Sequence, residues 1–414
     1  MSHLRQSDPQ VAALIQQESR RQASVLRLIP SENYASPAVM EATGSILTNK
    51  YSEGYPHRRY YQGQEFVDKI EDIALARARA LFGAEHANVQ PYSGSPANMA
   101  VYLGLLKPGD RVLGMDLAAG GHLTHGAKVS FSGKFYQVRQ YGLSRATGLV
   151  DYEAARALAR EFQPKMIFTG ASSYPRVIDF SIFRQIADEV GAYLVADISH
   201  ISGLCLSGDH LHPLPHADVV TTTTHKLLRG PRGGMILCRS DLAAKIDKAV
   251  FPGVQGGPHN HVTAAIAVAL GEAARPDFSQ YCHQVVKNAQ ALAQGLLDQG
   301  FTLVTGGTDN HLVLIDATAQ GHTGKGLAEA LERAGVVANA NKIPFDPRPA
   351  EDPSGVRLGT PALTTRGMGQ AQMAQVAQFI GQVARDAANP ATLERVRLQV
   401  AELCAAFPAP GVAL

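Results

Sequence analysis

The sequence predicts an α/β protein of two domains, the larger one built on a mostly parallel sheet. Three observations predict it. Short apolar, strand-like runs at residues 165–169, 192–196 and 219–224 recur in company with helix-like sequence, an alternation that gives a parallel sheet with ligands at the carboxyl ends of its strands. At those ends stand residues that carry chemistry: Ser172, Asp197 and Lys226. The third is size: 414 residues, with 45% hydrophobic and 18% charged content, are enough for a large core and a second domain.

Composition excludes several classes. A net charge of +2, with no basic run interleaved with aromatics, argues against a nucleic-acid surface. Cys205, Cys238, Cys282 and Cys404 are far apart and show no ligand-like spacing, so neither a disulfide framework nor a metal site is expected. No apolar run approaches the ~20 residues that cross a bilayer, and the N-terminus lacks the apolar core of a signal peptide. A cytoplasmic protein with no membrane partner is the expectation.

In chain order, Asp8-Pro9 supplies an N-cap and a proline at the first helical position, and Val11, Leu14 and Ile15 share one helical face as far as Arg20. This arm, residues 1–22, either packs across a subunit interface or lies as an ordinary edge helix. LIPSENY, residues 28–34, is a short connection carrying Ser31. KYSEGYPHRRYYQG, residues 50–63, is too dense in tyrosine, glycine and charge for a helix or an alternating strand. A helix over 66–82 stops at Gly83. Ser93-Gly94-Ser95 then leads into a helix with Pro96 near its first turn; small residues with free backbone donors there suit a phosphate, though a plain turn uses the same residues.

Residues 109–126 read as a strand and a glycine-rich loop carrying His122 and His125, and a second glycine turn holds Gly256 and Gly257 ahead of a helix over 261–274. Arg275-Pro276-Asp277 marks the boundary between a large domain, 23–275, and a smaller α/β domain, 276–414. The latter shows helices near 284–299, 323–334 and 369–387 and a strand at 312–315, and closes in PAPGVAL, read as a partly ordered tail.

The most informative residue is Lys226. A β-branched run delivers it into a loop with Arg229, Arg232 and three glycines, and neighbouring cations with partial burial disfavour its ammonium form. Such an amine can hold a carbonyl compound covalently; alone, a His-Lys pair beside an Arg/Gly turn reads as a solvated loop. Asp197 ends an apolar strand, where an unpaired carboxylate is expensive, so it needs a cation: a protonated ring nitrogen, or an internal arginine. Arg357, between glycines on a short extended segment, offers a planar fork for a carboxylate.

THKLLRGPRGG, residues 224–234, resembles the lysine loop of the serine hydroxymethyltransferases, pyridoxal-phosphate enzymes of the aspartate-aminotransferase type (fold type I), and the likeness runs from about residue 23 to the C-terminus. The resemblance implies a mixed, mostly parallel sheet of seven strands and pyridoxal phosphate bound covalently at Lys226. It assigns Ser93, Gly94, Ser95, His122, Ser172, Asp197, His200 and His225 to the cofactor, with Tyr51, Gly256 and Gly257 reaching the phosphate of a partner subunit. Ser31 and Arg357 take the substrate carboxylate. Glu53, Tyr60 and Tyr61, on the same segment as Tyr51, reach into the neighbouring subunit's site, Glu53 towards the reacting hydroxyl and the tyrosines towards folate and substrate. Lys226, Glu53, His122, Tyr61 and Thr223 form the catalytic group. Glu53, Tyr60, Tyr61, Leu117, Gly121, Leu123 and Asn341 form the folate site. Pro30 and Ser199 stand where the family more often has alanine, and PRPAEDP after Asn341 departs from the commoner family sequence.

The implied activity is reversible transfer of a hydroxymethyl group from serine to tetrahydrofolate, giving glycine, by a homodimer or tetramer with shared active sites and no metal. Two other readings remain open. One is a folate-independent aldolase, transaldolase or hydroxymethyltransferase acting on other β-hydroxy or α-methyl amino acids. The other is a non-catalytic regulator, which calls for an appended helix-turn-helix or a basic stripe that the sequence does not show.

Overall fold

The structure, a computed structural model, describes residues 2–412. The chain forms two compact units: Ala35–Val286, and the residues up to Tyr34 together with those from Lys287 onward. Both divisions differ from the sequence boundaries at 22/23 and 275/276, for physical reasons. Leu26–Arg27 pairs in parallel with Val336–Val337, and Leu26 and Leu28 share a core with Leu331 and Leu358, so residues 23–34 belong with the C-terminal part. Pro276 opens the helix Pro276–Asp298, whose early residues Phe278 and Cys282 pack into the core of the larger unit.

The larger unit holds a seven-stranded sheet in the order His86–Asn88, Gly234–Cys238, Val219–Thr223, Tyr193–Asp197, Met166–Thr169, Arg111–Met115, Gln137–Tyr141. Only Gly234–Cys238 runs against the rest, antiparallel to both its neighbours. This is the mixed, mostly parallel sheet expected. Successive side chains point to opposite faces, and the two cores follow that alternation. Leu113, Ile167, Leu194, Val220 and Leu237 enter one core; Val112, Met166, Val195, Val219 and Ile236 enter the other, with Ala97, Val101 and Tyr102 of the helix Gly94–Leu105. Both faces are buried, which is why these strands read as unbroken apolar runs. By the same alternation Asp197, Thr221 and Thr223 face the Gly94–Leu105 side.

In the smaller unit an antiparallel sheet runs Thr302–Leu303, Leu312–Asp316, Gly355–Gly359, Asn339–Asn341. Helices Gly324–Arg333, Gln370–Arg385 and Pro390–Ala406 pack on it through one apolar core. The third is absent from the sequence reading; Asn389 caps it by accepting from the Ala391 N–H. The arm helix, Pro9–Ser24, is capped by Asp8 as expected but runs four residues beyond Arg20. Its exit is tied by buried Arg366, which donates to the carbonyls of Gln22, Ala23, Val25, Cys404 and Phe407. In the closing segment, expected as a partly ordered tail, Ala409 is buried against Tyr34 and Ala362, while the final two residues of PAPGVAL lie outside the described residues. Among the described residues no helix is long and apolar enough to cross a membrane.

Candidate active site

Val219–Thr223 and Gly234–Cys238 form an antiparallel pair with Thr223 opposite Gly234, so Lys226 sits in the loop joining them, at the carboxyl end of a central strand. The loop is closed by its own hydrogen bonds, Gly230 N–H to Thr224 O at 2.7 Å and the Thr224 hydroxyl to Pro231 O at 2.7 Å. Half-buried Lys226 donates from Nζ to Thr223 Oγ1 at 2.8 Å, and the Thr223 hydroxyl donates to Ser199 O at 3.4 Å. The Thr223 N–H in turn donates to Ser199 Oγ at 3.1 Å.

On the next strand Asp197 is opposite Thr221. Its Oδ2 is met by His125 Nε2 at 3.1 Å and accepts from Asn98 Nδ2 at 2.9 Å, while Oδ1 accepts from the Ser199 N–H at 3.0 Å. Burial by itself raises the pKa of this carboxyl. Hydrogen bonding to His125, the pull of His125 and His122 once acid protonates them, and the Ser199 side chain outweigh burial and hold it far below the usual carboxylate range. Asp197 is therefore an ionised carboxylate, and no arginine pairs with it in the described contacts: histidine and amide donors do instead.

His122 caps the short turn Leu123–His125: its Nδ1 accepts from the Thr124 N–H at 3.2 Å, and His125 Nδ1 accepts from the His122 N–H at 3.3 Å. Donor atoms of His122, His125 and Asp197 lie within 4.8 Å of one another, close enough for a cation, but their hydrogen bonds turn them toward each other and toward Thr124. Ser172 reaches the same loop, donating from Oγ to Gly121 O at 3.1 Å; Leu117 and Leu123 on that loop are exposed. His200 is buried in the turn after Asp197.

The donors and the ionised carboxylate these groups present are chemically suited to a phosphate-bearing ring. Ser93 is the N-cap of Gly94–Leu105 and makes no side-chain cap bond, leaving the helix N-terminus to an anion. That terminus is pressed against the lysine strand, where a Cβ on Gly94 would lie 2.8 Å from Thr223 Cγ2. His225 supplies the sharper test. The Arg232 guanidinium, donor only, is 3.2 Å from His225 Nε2, so the ring proton is on Nδ1, and Nδ1 is buried with no hydrogen-bond partner among the described residues. Burial first, then the charges of Lys226 and Arg232, pull the His225 pKa down to about 3. A neutral imidazole with an unspent N–H beside the lysine is a ready donor to a phosphate oxygen.

Residues 50–63 are less irregular than expected, for Gly54–Tyr55 and Arg58–Arg59 make a small antiparallel pair with His57 left-handed at its turn (φ 63°). Buried Arg59 anchors it to Asp68 and Glu71 at 2.9 and 2.6 Å, and Gln90 donates to Glu71 at 2.7 Å. The structure brings Tyr51, Glu53, Gly256 and Gly257 into one patch: the Tyr51 hydroxyl lies against Gly256 and its ring against Gly257. Tyr61 Oη accepts from the Glu53 N–H at 3.1 Å, and Tyr60 packs edge-on to Phe251 with centroids 5.6 Å apart.

In the smaller unit Arg357 lies on Gly355–Gly359, donating from Nε to Asn339 Oδ1 at 3.2 Å, and burial pulls its guanidinium down to about 10, still charged at neutral pH. The connection carrying Ser31 is held against the same strand by Gly359 N–H to Leu28 O at 2.7 Å; Pro30 fits because Gly359 has no Cβ to strike it. Asn341, on the neighbouring strand, donates to Lys342 O at 2.6 Å, and the divergent segment after it is knotted around Asp346, which accepts from Ile343, Arg348 and Ser354.

Asn98, Thr124, Thr221 and the role of His125 escaped the sequence reading. Asn98 sits inside an apolar helix, where one polar residue carries no periodic signal; its position four after Gly94, on the face turned to the strand ends, was the available clue.

The serine hydroxymethyltransferase family model matches residues 4–380. Among curated relatives, the chain is 58% identical to the serine hydroxymethyltransferase of Sorangium cellulosum over 99% of this chain and 97% of that one. It is 57% identical to that of Acidothermus cellulolyticus over 100% and 98%, and 58% identical to that of Desulfotalea psychrophila over 100% and 97%.

Proposed function

The chain belongs to the serine hydroxymethyltransferase family, and from that premise we propose that it transfers a hydroxymethyl group reversibly between serine and tetrahydrofolate, with pyridoxal phosphate at Lys226. One observation carries the reading: Lys226 Nζ, anchored 2.8 Å from Thr223 Oγ1, stands at the end of a strand whose parallel neighbour ends in the buried, ionised Asp197.

Ser93, Gly94, Ser95 and the His225 Nδ1–H would hold the phosphate, Asp197 would keep the ring nitrogen protonated, and His122, Ser172 and His200 would hold the ring. Pyridoxal phosphate, when bound, supplies an electron-poor ring that weakens the bonds at the amino acid's Cα. Arg357 and Ser31 orient the substrate by its carboxylate, which decides which Cα bond is labilised. Glu53, steadied beside Tyr61, moves a proton at the β-hydroxyl and so favours cleavage between Cα and Cβ. Tyr60, Tyr61, Leu117, Gly121, Leu123 and Asn341 receive tetrahydrofolate, which captures the one-carbon unit and leaves glycine.

The active assembly is a homodimer in which Tyr51, Gly256 and Gly257 serve the partner subunit's phosphate. Their grouping in one patch supports this, since all three act on one neighbour. Four free, buried cysteines suit a reducing compartment and support a cytoplasmic enzyme. Glycine formation from serine, measured with and without tetrahydrofolate, tests the proposal: strong dependence on tetrahydrofolate is expected, and its absence would favour a folate-independent aldolase instead.

A further inference from the structure

Asp197 and His122 are joined by a buried hydrogen-bonded relay. Asn98 is 1% exposed and spends its whole amide: Oδ1 accepts from the Thr221 hydroxyl at 2.6 Å, and Nδ2 donates to Asp197 Oδ2 at 2.9 Å and to Thr124 Oγ1 at 2.8 Å. The amide cannot be turned over, because Oδ1 would then face the ionised Asp197. Since Thr124 Oγ1 accepts from Asn98, its own hydrogen goes to its other near neighbour, His122 Nδ1, at 2.8 Å. The Thr124 N–H reaches the same nitrogen at 3.2 Å, so Nδ1 receives two donors and His122 carries its proton on Nε2. The Tyr102 hydroxyl, donating to Thr124 O at 3.0 Å, pins the turn from below.

We propose that Asn98 and Thr124 are positioning residues: one buried amide holds the Asp197 carboxylate and, through the Thr124 hydroxyl, fixes the tautomer and plane of His122, so that the charge at the ring nitrogen and the group against the ring face are set together. This rests on the proposed roles of Asp197 and His122, but the hydrogen-bond path exists in the chain without cofactor.

The test therefore has two arms. In the cofactor-free full-length protein labelled with ¹⁵N-histidine, with His122 assigned by His122→Gln, the Nδ1 resonance should be that of a hydrogen-bonded acceptor. Thr124→Val, which keeps the shape and removes the hydroxyl, should shift it toward a weakly bonded nitrogen; Asn98→Ala should shift it the same way, and Thr124→Ser should leave it in place. In the second arm the dissociation constant for pyridoxal phosphate should rise about tenfold in Thr124→Val and stay within about twofold in Thr124→Ser. Asn98→Ala combined with Thr124→Val should cost less than the product of the two single effects, because both cut one path. An unmoved Nδ1 resonance in Thr124→Val, or fully multiplicative effects in the double variant, would overturn the proposal. Failure of the wild-type protein to bind pyridoxal phosphate would sink the functional reading instead, and the histidine resonances would still decide the relay.

Discussion

Two regions of the larger unit carry most of the proposed chemistry, and they are built in opposite ways. At the strand ends Asp197, Thr223 and Lys226 are each tied by hydrogen bonds to groups of the same chain, on strands buried on both faces. Across the hairpin patch, Tyr51 is 61% and Tyr60 71% exposed, although the backbone beneath them is clamped by the buried Arg59–Glu71 pair. The first region is finished by its own chain. The second is a rigid mount for side chains that face outward, as fits residues serving a neighbour's site. In the proposed homodimer, the contrast says where loss of function should be private to one subunit and where it should be shared.

The largest effect belongs to the private region. Lys226→Ala should lower serine-to-glycine turnover by about a thousandfold or more and abolish the visible absorbance of lysine-bound pyridoxal phosphate. Retention of that band would break the contrast at its root, since the amine is what the strand end exists to present.

His225 gives a second reading of the same region, through pH. Its folded pKa, about 3, lies below the ordinary 6.5, so the folded chain binds fewer protons than the unfolded chain between those values. The stability this contributes is fully present above pH 6.5 and is lost progressively as pH falls toward 3. At pH 5 the loss is on the order of 2 kcal/mol. Chemical denaturation of the cofactor-free protein at pH 7 and pH 5 should show it, and His225→Asn should shrink the difference between the two.

The shared region is tested by mixing. Tyr51→Phe should weaken turnover by about tenfold, the loss of one hydrogen bond to a charged group. Subunits carrying Tyr51→Phe and Lys226→Ala, unfolded together and refolded, should then recover activity in hybrids, because one of the two sites in a mixed dimer has both residues intact. Random pairing gives roughly a quarter of wild-type activity. A mixture no more active than the sum of its parts would place Tyr51 in its own subunit's site.

What was legible in the sequence follows the same division. The strand ends were legible because burial on both faces writes an unbroken apolar run, and a lysine or aspartate closing such a run stands out. The sheet order was not, because the place of Gly234–Cys238 between Val219–Thr223 and His86–Asn88 is set by pairing with residues nearly 150 positions away. Asn98 was hidden inside an apolar helix, and Arg366 in a polar stretch where arginine is normally solvated; each is a buried polar residue whose partners come from distant segments. The helix Pro390–Ala406 carries a sound start signal in Asn389-Pro390, but no glycine closes it and its buried Thr392, Val396, Val400 and Leu403 alternate with charged residues.

The smallest expected effect concerns Ser199, which links the two strand ends of the private region. Its N–H holds Asp197 Oδ1 at 3.0 Å and its hydroxyl oxygen accepts from the Thr223 N–H at 3.1 Å. The second bond depends on the side chain, so Ser199→Ala leaves the backbone grip on Asp197 intact but removes the smallest of the side-chain contributions that keep the Asp197 carboxyl ionised and strips one buried N–H of its acceptor. Such a loss is worth about 1 kcal/mol, and Thr223 can answer by a small shift of the strand end. Because Lys226 is anchored on the Thr223 hydroxyl, that shift should appear at the lysine: a two- to fivefold faster release of pyridoxal phosphate, at nearly unchanged thermal stability of the cofactor-free chain. Measuring both quantities separates a displaced lysine from a loosened fold. Release at the wild-type rate would show that the strand end holds Lys226 without help from Ser199, making the private region stiffer than its hydrogen bonds alone require.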